Sequence, residues 1–314
     1  MTSHEKPDDL IDGRLLEPAL RGAYGRTPEN VALAQILMAA CCADEANRAL
    51  DAAIRHIRSD PHERSESVRR LQRMRALWDQ TPDAFASIKA VMHSLDHPGA
   101  RDSHPSPETW ATIFDDAVGV SREASVALYS LGRADLLRAA TDEIVERIRT
   151  WNLLRDDACV LDVGCGSGRI VEALARHVKT AIGIDVSMHM LQAARECCAA
   201  CPNTTFVRTS GQDLSVFQDE SVDLVCAVDV FPYFVMSGLA QRHIGEMARV
   251  LRRDGHLLIL NYAYSDDPRA SGDELRRFAQ EAGLSVRHGA TREFSLWDGT
   301  CFLLRKSSQQ ERSI

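Results

Sequence analysis

The stretch Cys159-Val160-Leu161-Asp162-Val163-Gly164-Cys165-Gly166-Ser167-Gly168 decides how this chain is read. Five mostly apolar residues predict a buried strand, three alternating glycines predict a sharp turn, and Arg169 to Val178 continues with apolar residues at helical spacing (Ile170, Ala173, Leu174, Val178). Glycine has no Cβ, so such a turn brings the backbone close to a ligand at the mouth of the following helix. A second apolar strand, Thr180-Ala181-Ile182-Gly183-Ile184-Asp185, ends in a carboxylate about 20 residues after the glycines, the spacing at which an acid reaches a ribose. Together the two signals predict an α/β fold with a nucleotide-type cofactor at the strand ends.

The kind of cofactor follows from what surrounds the glycines. A dinucleotide site needs a third glycine where this chain has Arg169, and Asp162 just before the turn repels a polyphosphate. Both features favour a ligand that carries an amine, and tell against a nicotinamide enzyme.

The pattern of Asp162, Gly164, Gly166 and Gly168 resembles the first motif of the class I S-adenosylmethionine-dependent methyltransferases, and the resemblance extends over roughly half the chain, from Leu161 to Lys306. It implies a seven-stranded Rossmann-like sheet and S-adenosyl-L-methionine as cofactor. Asp162 and the backbone at Gly164, Cys165, Gly166 and Gly168 would face the methionine end, Asp185 the ribose hydroxyls, and Val186 the adenine. The run from Asp185 to Arg195 is similar to the family's second motif, which implies a cofactor contact for Met190; an ordinary amphipathic helix with Met190 in the core reads equally well. Ser210 stands where the family commonly has an acid, so Gln212, Asp213 or backbone atoms become the candidates at the adenine edge. Upstream, the family often folds a segment over the cofactor as a lid, which places Tyr129 there, although Tyr129 also reads as a half-buried core residue.

A further strand, 222–228, runs into Asp229-Val230-Phe231-Pro232-Tyr233 at the edge where ligands of parallel sheets bind. Asp229 and Tyr233 are the candidate catalytic residues if the acceptor must lose a proton; otherwise Asp229 orients backbone and Tyr233 walls the site. His243 in the next helix reads as a surface or capping residue. The motif used on exocyclic nucleobase amines is absent from the 228–233 stretch, and only Asp229 stands as an obvious carboxylate there, so no metal is expected.

Composition narrows the partners. The 314 residues carry a formal charge of −8, which tells against nucleic acid, and the arginine-rich stretch 55–75 is broken by Asp60, Glu63 and Glu66. No run approaches the roughly 20 apolar residues of a membrane helix, and nine cysteines, several inside apolar runs, suit a reducing, cytoplasmic setting. Cys198 and Cys201 have C-x-x-C spacing beside Cys197, but with no second ligand pair the trio reads as structural thiols.

The expected organisation is a helical domain over 1–105, connecting or lid helices over 106–152, the cofactor domain over 153–306 and a tail over 307–314. Residues 1–28 read as polar and frayed. Four amphipathic helices then form two hairpins loosely resembling tetratricopeptide repeats, with a generic bundle the simpler reading. The last two strands, 284–294 and 301–304, are expected to meet at an Asp298-Gly299 turn. The function implied is methyl transfer to an oxygen or nitrogen of a small molecule. The alternatives are a protein or carrier-bound acceptor docked by the helices, or a cofactor-binding protein without turnover; a homodimer is a further expected assembly.

Overall fold

The structure, a computed structural model, describes residues 12–59, 65–95, 104–264 and 268–307. The chain divides into two compact units.

The first unit contains the described residues up to His93, together with Glu123–Leu137 and Ser295–Asp298. Its helices are α1 (Gly13–Ala23), α2 (Glu29–Ala39), α3 (Ala43–Ser59), α4 (Ser65–Asp79) and α5 (Ala84–Leu95). Contrary to the expected frayed start, α1 is a formed helix: the Asp12 side chain accepts from the Arg14 N–H as its N-cap, and Leu15, Ala19 and Ala23 present a buried face. α1 packs on α2, α3 and α4, so the unit is a bundle around Leu33, Ile36, Leu37, Leu50, Ile57, Leu71 and Met74. Asn30 is buried in it and donates through Nδ2 to the carbonyls of Tyr129 (3.0 Å) and Leu296 (2.8 Å), joining the three chain segments of this unit.

The second unit begins, among described residues, with α6 (Pro107–Val120), capped by Ser106 and started by Pro107. The short α7 (Arg122–Val126) and the first turn of α8 (Ala134–Thr150) fall in the first unit from Glu123 to Leu137, and the rest of α8 leads into the alternation β1 (Cys159–Val163), α9 (Arg169–Ala175), β2 (Thr180–Asp185), α10 (Met188–Cys197), β3 (Thr204–Arg208) and β4 (Val222–Val228). Then follow α11 (Phe231–Met236), α12 (Ala240–Val250), β5 (Leu251–Leu260), α13 (Pro268–Glu281), β6 (Leu284–Thr291) and β7 (Cys301–Lys306). The seven strands lie in the order β3-β2-β1-β4-β5-β7-β6, with β1 to β5 parallel and β7 antiparallel to both of its neighbours. β1 and β4 are buried along nearly their whole length, which is why both read as continuous apolar runs. The order reverses between β1 and β4, whose carboxyl ends therefore flank a crevice.

Two expectations are corrected. The division does not fall at 105: among the described residues Ser94, Leu95 and 104–122 belong with the sheet, while Glu123–Leu137 belongs with the bundle. Nor do the last strands meet at a tight turn. β6 ends at Thr291, and Ser295–Asp298 joins the bundle unit, where Trp297 is buried and the Leu296 carbonyl is held by Asn30. Among the described residues no helix is long and apolar enough to cross a membrane.

Replacing Asn30 by Leu removes both of its bonds and leaves carbonyls of two other segments without this donor. The expected cost is about 1–3 kcal/mol, read as a lower midpoint in thermal or urea unfolding.

Candidate functional site

At the end of β1 the backbone enters the left-handed region at Gly164 (φ 69°), Gly166 (φ 51°) and Gly168 (φ 84°). A Cβ at Gly164 would lie 2.4 Å from Val230 Cγ2, and one at Gly168 2.9 Å from the Cα of Ala194. The first close approach seats β1 against the segment after β4, and the second seats α9 against α10. The N–H groups of Gly164 and Cys165 both donate to the Ile184 carbonyl at 2.9 Å, and Gly168 N–H donates to the Cys165 carbonyl. The Cys165 thiol is buried beside Gly183, so of this residue only the backbone belongs to the turn's open face.

Asp185, at the end of β2, holds this turn. Its Oδ2 accepts from Gly166 N–H and its Oδ1 from Ser187 N–H, each at 2.9 Å. A carboxylate has about four lone-pair positions, so acceptor capacity remains for a pair of ligand hydroxyls. Burial raises its pKa, while the bonds from Ser187 and Gly166 pull the other way.

Asp162 is the most informative side chain in the unit. It is 2% exposed, and neither carboxylate oxygen has a hydrogen-bond partner among the described residues. Burial pushes its pKa up to about 8; the nearby Arg169 opposes this and Asp185 adds to it. A buried carboxylate without partners costs free energy, and a cation or an N–H group placed against it restores the balance. The glycine turn, the Asp162 carboxylate and the spare capacity of Asp185 thus fit a ligand that carries both an ammonium group and a diol.

Other expected residues fall as follows. Val186 Cγ1 and Pro107 Cβ both lie 2.7 Å from where a Cβ at Gly211 would sit, so Val186, Gly211 and Pro107 share one wall. Met190 is buried on the inner face of α10. Gln212 is half-buried, its N–H bonded to Ser210 Oγ. Asp213 is held by Ser215 N–H and by Arg242, and those bonds, Ser215's first, keep its carboxyl below the usual range. Tyr129 belongs to the bundle unit, where it is buried.

At the carboxyl ends of the neighbouring parallel strands, Asp229 (φ 57°) and Asn261 (φ 68°) both adopt the left-handed conformation, and Asn261 Nδ2 donates to Asp229 Oδ1 at 3.2 Å. Non-glycine residues held there concentrate at functional sites. The Tyr233 ring meets Trp110 and Phe114 edge-on, with centroids 4.9 and 5.1 Å apart, and its hydroxyl lies 3.5 Å from that of Tyr264. Burial raises the Tyr233 phenol to about 12, so at neutral pH it keeps its proton and has one to donate.

Sequence reading missed α6 as part of the site. Asp115 Oδ1 accepts from Ser187 Oγ (2.5 Å) and from His189 N–H (2.9 Å), pinning α6 to the first turn of α10. Trp110 Nε1 donates to Ser237 Oγ at the end of α11. The i, i+4 spacing of Trp110 and Phe114 was the available signal, but the partners of that face are distant in sequence. His243 is corrected from surface to buried: it is 1% exposed, stacks on Phe234 and bonds through Nε2 to the Gly211 carbonyl, and its burial lowers its pKa. Among the described residues no group of three or more His, Cys, Asp or Glu side chains is disposed to hold a metal ion.

Residues 161–259 match the methyltransferase domain family. The demethylmenaquinone methyltransferase of Tropheryma whipplei is 36% identical over 107 residues, covering 33% of this chain and 42% of that protein. The ubiquinone/menaquinone biosynthesis C-methyltransferase of Campylobacter jejuni is 28% identical over 117 residues, 35% of this chain and 46% of that one. The chain thus spans less than half the length of these curated relatives. Among solved structures, phosphoethanolamine N-methyltransferase 1 of Haemonchus contortus, in complex with phosphoethanolamine and S-adenosylhomocysteine, superposes with a TM-score of 0.51 at 16% identity, over 68% of this chain and 51% of that one; this is a likeness of fold. The chain has the class I S-adenosylmethionine-dependent methyltransferase fold with an N-terminal helical extension.

The Asp162 carboxyl has a folded pKa of about 8 against an ordinary value of 3.8. The stability it contributes is therefore complete below pH 4 and lost as pH rises to 8. Asp162→Asn cannot ionise, so its ligand-free unfolding free energy should gain on the wild type across that window by at most about 1.4 kcal/mol per pH unit, then level off. Urea titrations at pH 4.5, 6 and 8 measure the trend.

Proposed function

We propose that this protein is an S-adenosylmethionine-dependent methyltransferase acting on an oxygen or nitrogen atom of a small molecule in the cytoplasm. The observation that carries the reading is the pair of carboxylates around the glycine turn: Asp162, buried and without partners, and Asp185, bonded to Gly166. Asp162 and the backbone of residues 164–168 would hold the amino-acid end of the cofactor, Asp185 its ribose hydroxyls, and Val186 with Pro107 and Gly211 its base. When bound, the cofactor supplies an electrophilic methyl group on a sulfonium.

Methyl transfer is an in-line displacement, so the chain's main task is to hold the acceptor atom opposite the methyl. The edge near Asp229 and the Trp110, Phe114 and Tyr233 rings is suited to this. Asp229, steadied by Asn261, is the group able to take a proton from a hydroxyl or ammonium acceptor, and the Tyr233 hydroxyl donates a hydrogen bond. A second reading, transfer to a carbon atom, is favoured by the name of one of the two relatives above, a C-methyltransferase. The identity of the methylated atom in the product separates the two.

Calorimetric titration with S-adenosylmethionine and S-adenosylhomocysteine is the direct test. Binding in the micromolar range is expected, weakened at least tenfold, about 1.4 kcal/mol, by Asp185→Ala. Absence of binding to folded protein overturns the reading. Because a cationic ligand needs the ionised Asp162, affinity for S-adenosylmethionine should rise with pH up to about 8, by at most about tenfold per unit, and Asp162→Asn should bind weakly with a flat profile. With an acceptor in hand, Asp229→Asn should lower kcat by roughly 10²-fold or more while leaving cofactor affinity within twofold.

A further inference from the structure

Three cysteines lie together where α10 ends. Cys198 is the C-cap, its N–H bonded to the carbonyls of Ala194 and Glu196, and Cys201 N–H donates to the Cys198 carbonyl at 2.8 Å. That bond closes a four-residue turn, which brings the first and fourth Cα atoms within about 7 Å, and disulfides span Cα separations of roughly 4.4–6.8 Å. All three thiols are reduced; Cys198 is buried, and Cys197 and Cys201 are half-buried. Cys165, Cys226 and Cys301, by contrast, are buried thiols raised by desolvation.

A second observation ties the cluster to the cofactor turn. Cys198 Sγ lies 3.7 Å from the carbonyl oxygen of Gly168, the last glycine, and the same oxygen accepts from Glu172 N–H at 2.9 Å. Cys197 Sγ lies 3.5 Å from Glu172 Oε2.

We infer that Cys198 and Cys201 form a hydroperoxide-sensitive dithiol whose oxidation to a disulfide removes the thiol hydrogen bond from Gly168 and loosens the glycine turn. The half-buried Cys201 sulfur attacks one peroxide oxygen. The O–O bond breaks, the sulfur becomes a sulfenic acid, and the departing oxygen leaves as water with the thiol proton. Cys198 sulfur then attacks the sulfenic sulfur; the S–S bond forms, the S–O bond breaks, and the departing hydroxide takes the Cys198 proton and leaves as a second water. Overall two thiols are oxidised and one peroxide is reduced to two waters. The effect on cofactor affinity rests on the proposed function, whereas the disulfide itself does not.

The test uses the full chain treated with hydrogen peroxide, quenched with N-ethylmaleimide and mapped by mass spectrometry. Hydrogen exchange of residues 164–168 and S-adenosylhomocysteine affinity are measured before oxidation, after it, and after dithiothreitol. Expected are a Cys198–Cys201 disulfide, faster exchange in the turn and at least fivefold weaker binding, all reversed by reductant. Cys197→Ser should retain the disulfide; Cys201→Ser should lose it and keep the affinity of the reduced wild type. Overoxidation of Cys201 without a disulfide, or a disulfide elsewhere, overturns the dithiol. A disulfide with unchanged exchange overturns its coupling to the turn. If reduced protein binds no S-adenosylhomocysteine, the proposed function fails while the disulfide map and the exchange data still decide this inference.

Discussion

The carboxylate of Asp185 ties together the parts on which the site depends. One oxygen accepts from the middle of the glycine turn, the other from the start of α10, and the same side chain stands at the end of β2. The turn has few means of holding itself, since its residues sit in a conformation that few side chains tolerate. It is fixed instead by strand ends: the Ile184 carbonyl takes two of its N–H groups and Asp185 a third. A rigid parallel sheet thereby supplies order to a loop that must leave its remaining groups available to a ligand.

The carboxylates of this unit show function set against stability. Asp162 is buried, and its proton affinity is raised first by that burial and then by the charge of Asp185, whose own proton affinity burial also raises. No packing argument calls for an acid at the end of β1, where an apolar side chain would suit the surrounding core. An acid without a partner among the described residues suits a cationic or N–H-bearing group from outside the chain, which is why Asp162 bears most directly on what the crevice would hold.

The sequence made the sheet legible and the packing around it much less so. β1, β2 and β4 were delimited correctly because strands covered on both faces leave uninterrupted apolar runs bounded by glycine or acid. Asp162, Asp185 and the glycines were legible because their spacing is local. What escaped depends on contacts across long sequence distances. α1 looks polar by composition, yet it presents Leu15, Ala19 and Ala23 to helices that follow it. His243 carries no local sign that Phe234 will stack on it or that the Gly211 carbonyl will meet its ring. The Trp297-Asp298-Gly299 run has the composition of a hairpin turn, but burial of Trp297 outweighs that local preference.

Helix α6 touches both halves of the crevice edge. Through Asp115 it is bonded to the turn that follows Asp185, and through Trp110 and Phe114 it packs on Tyr233 and bonds to Ser237. Any ligand that orders one end of this helix lowers the entropy that a second ligand must give up at the other, and such coupling is reciprocal. The consequence is mutual reinforcement: occupation of the end of the crevice at Ser187 and Asp185 and occupation of the end at the aromatic wall would each favour the other, by the same factor.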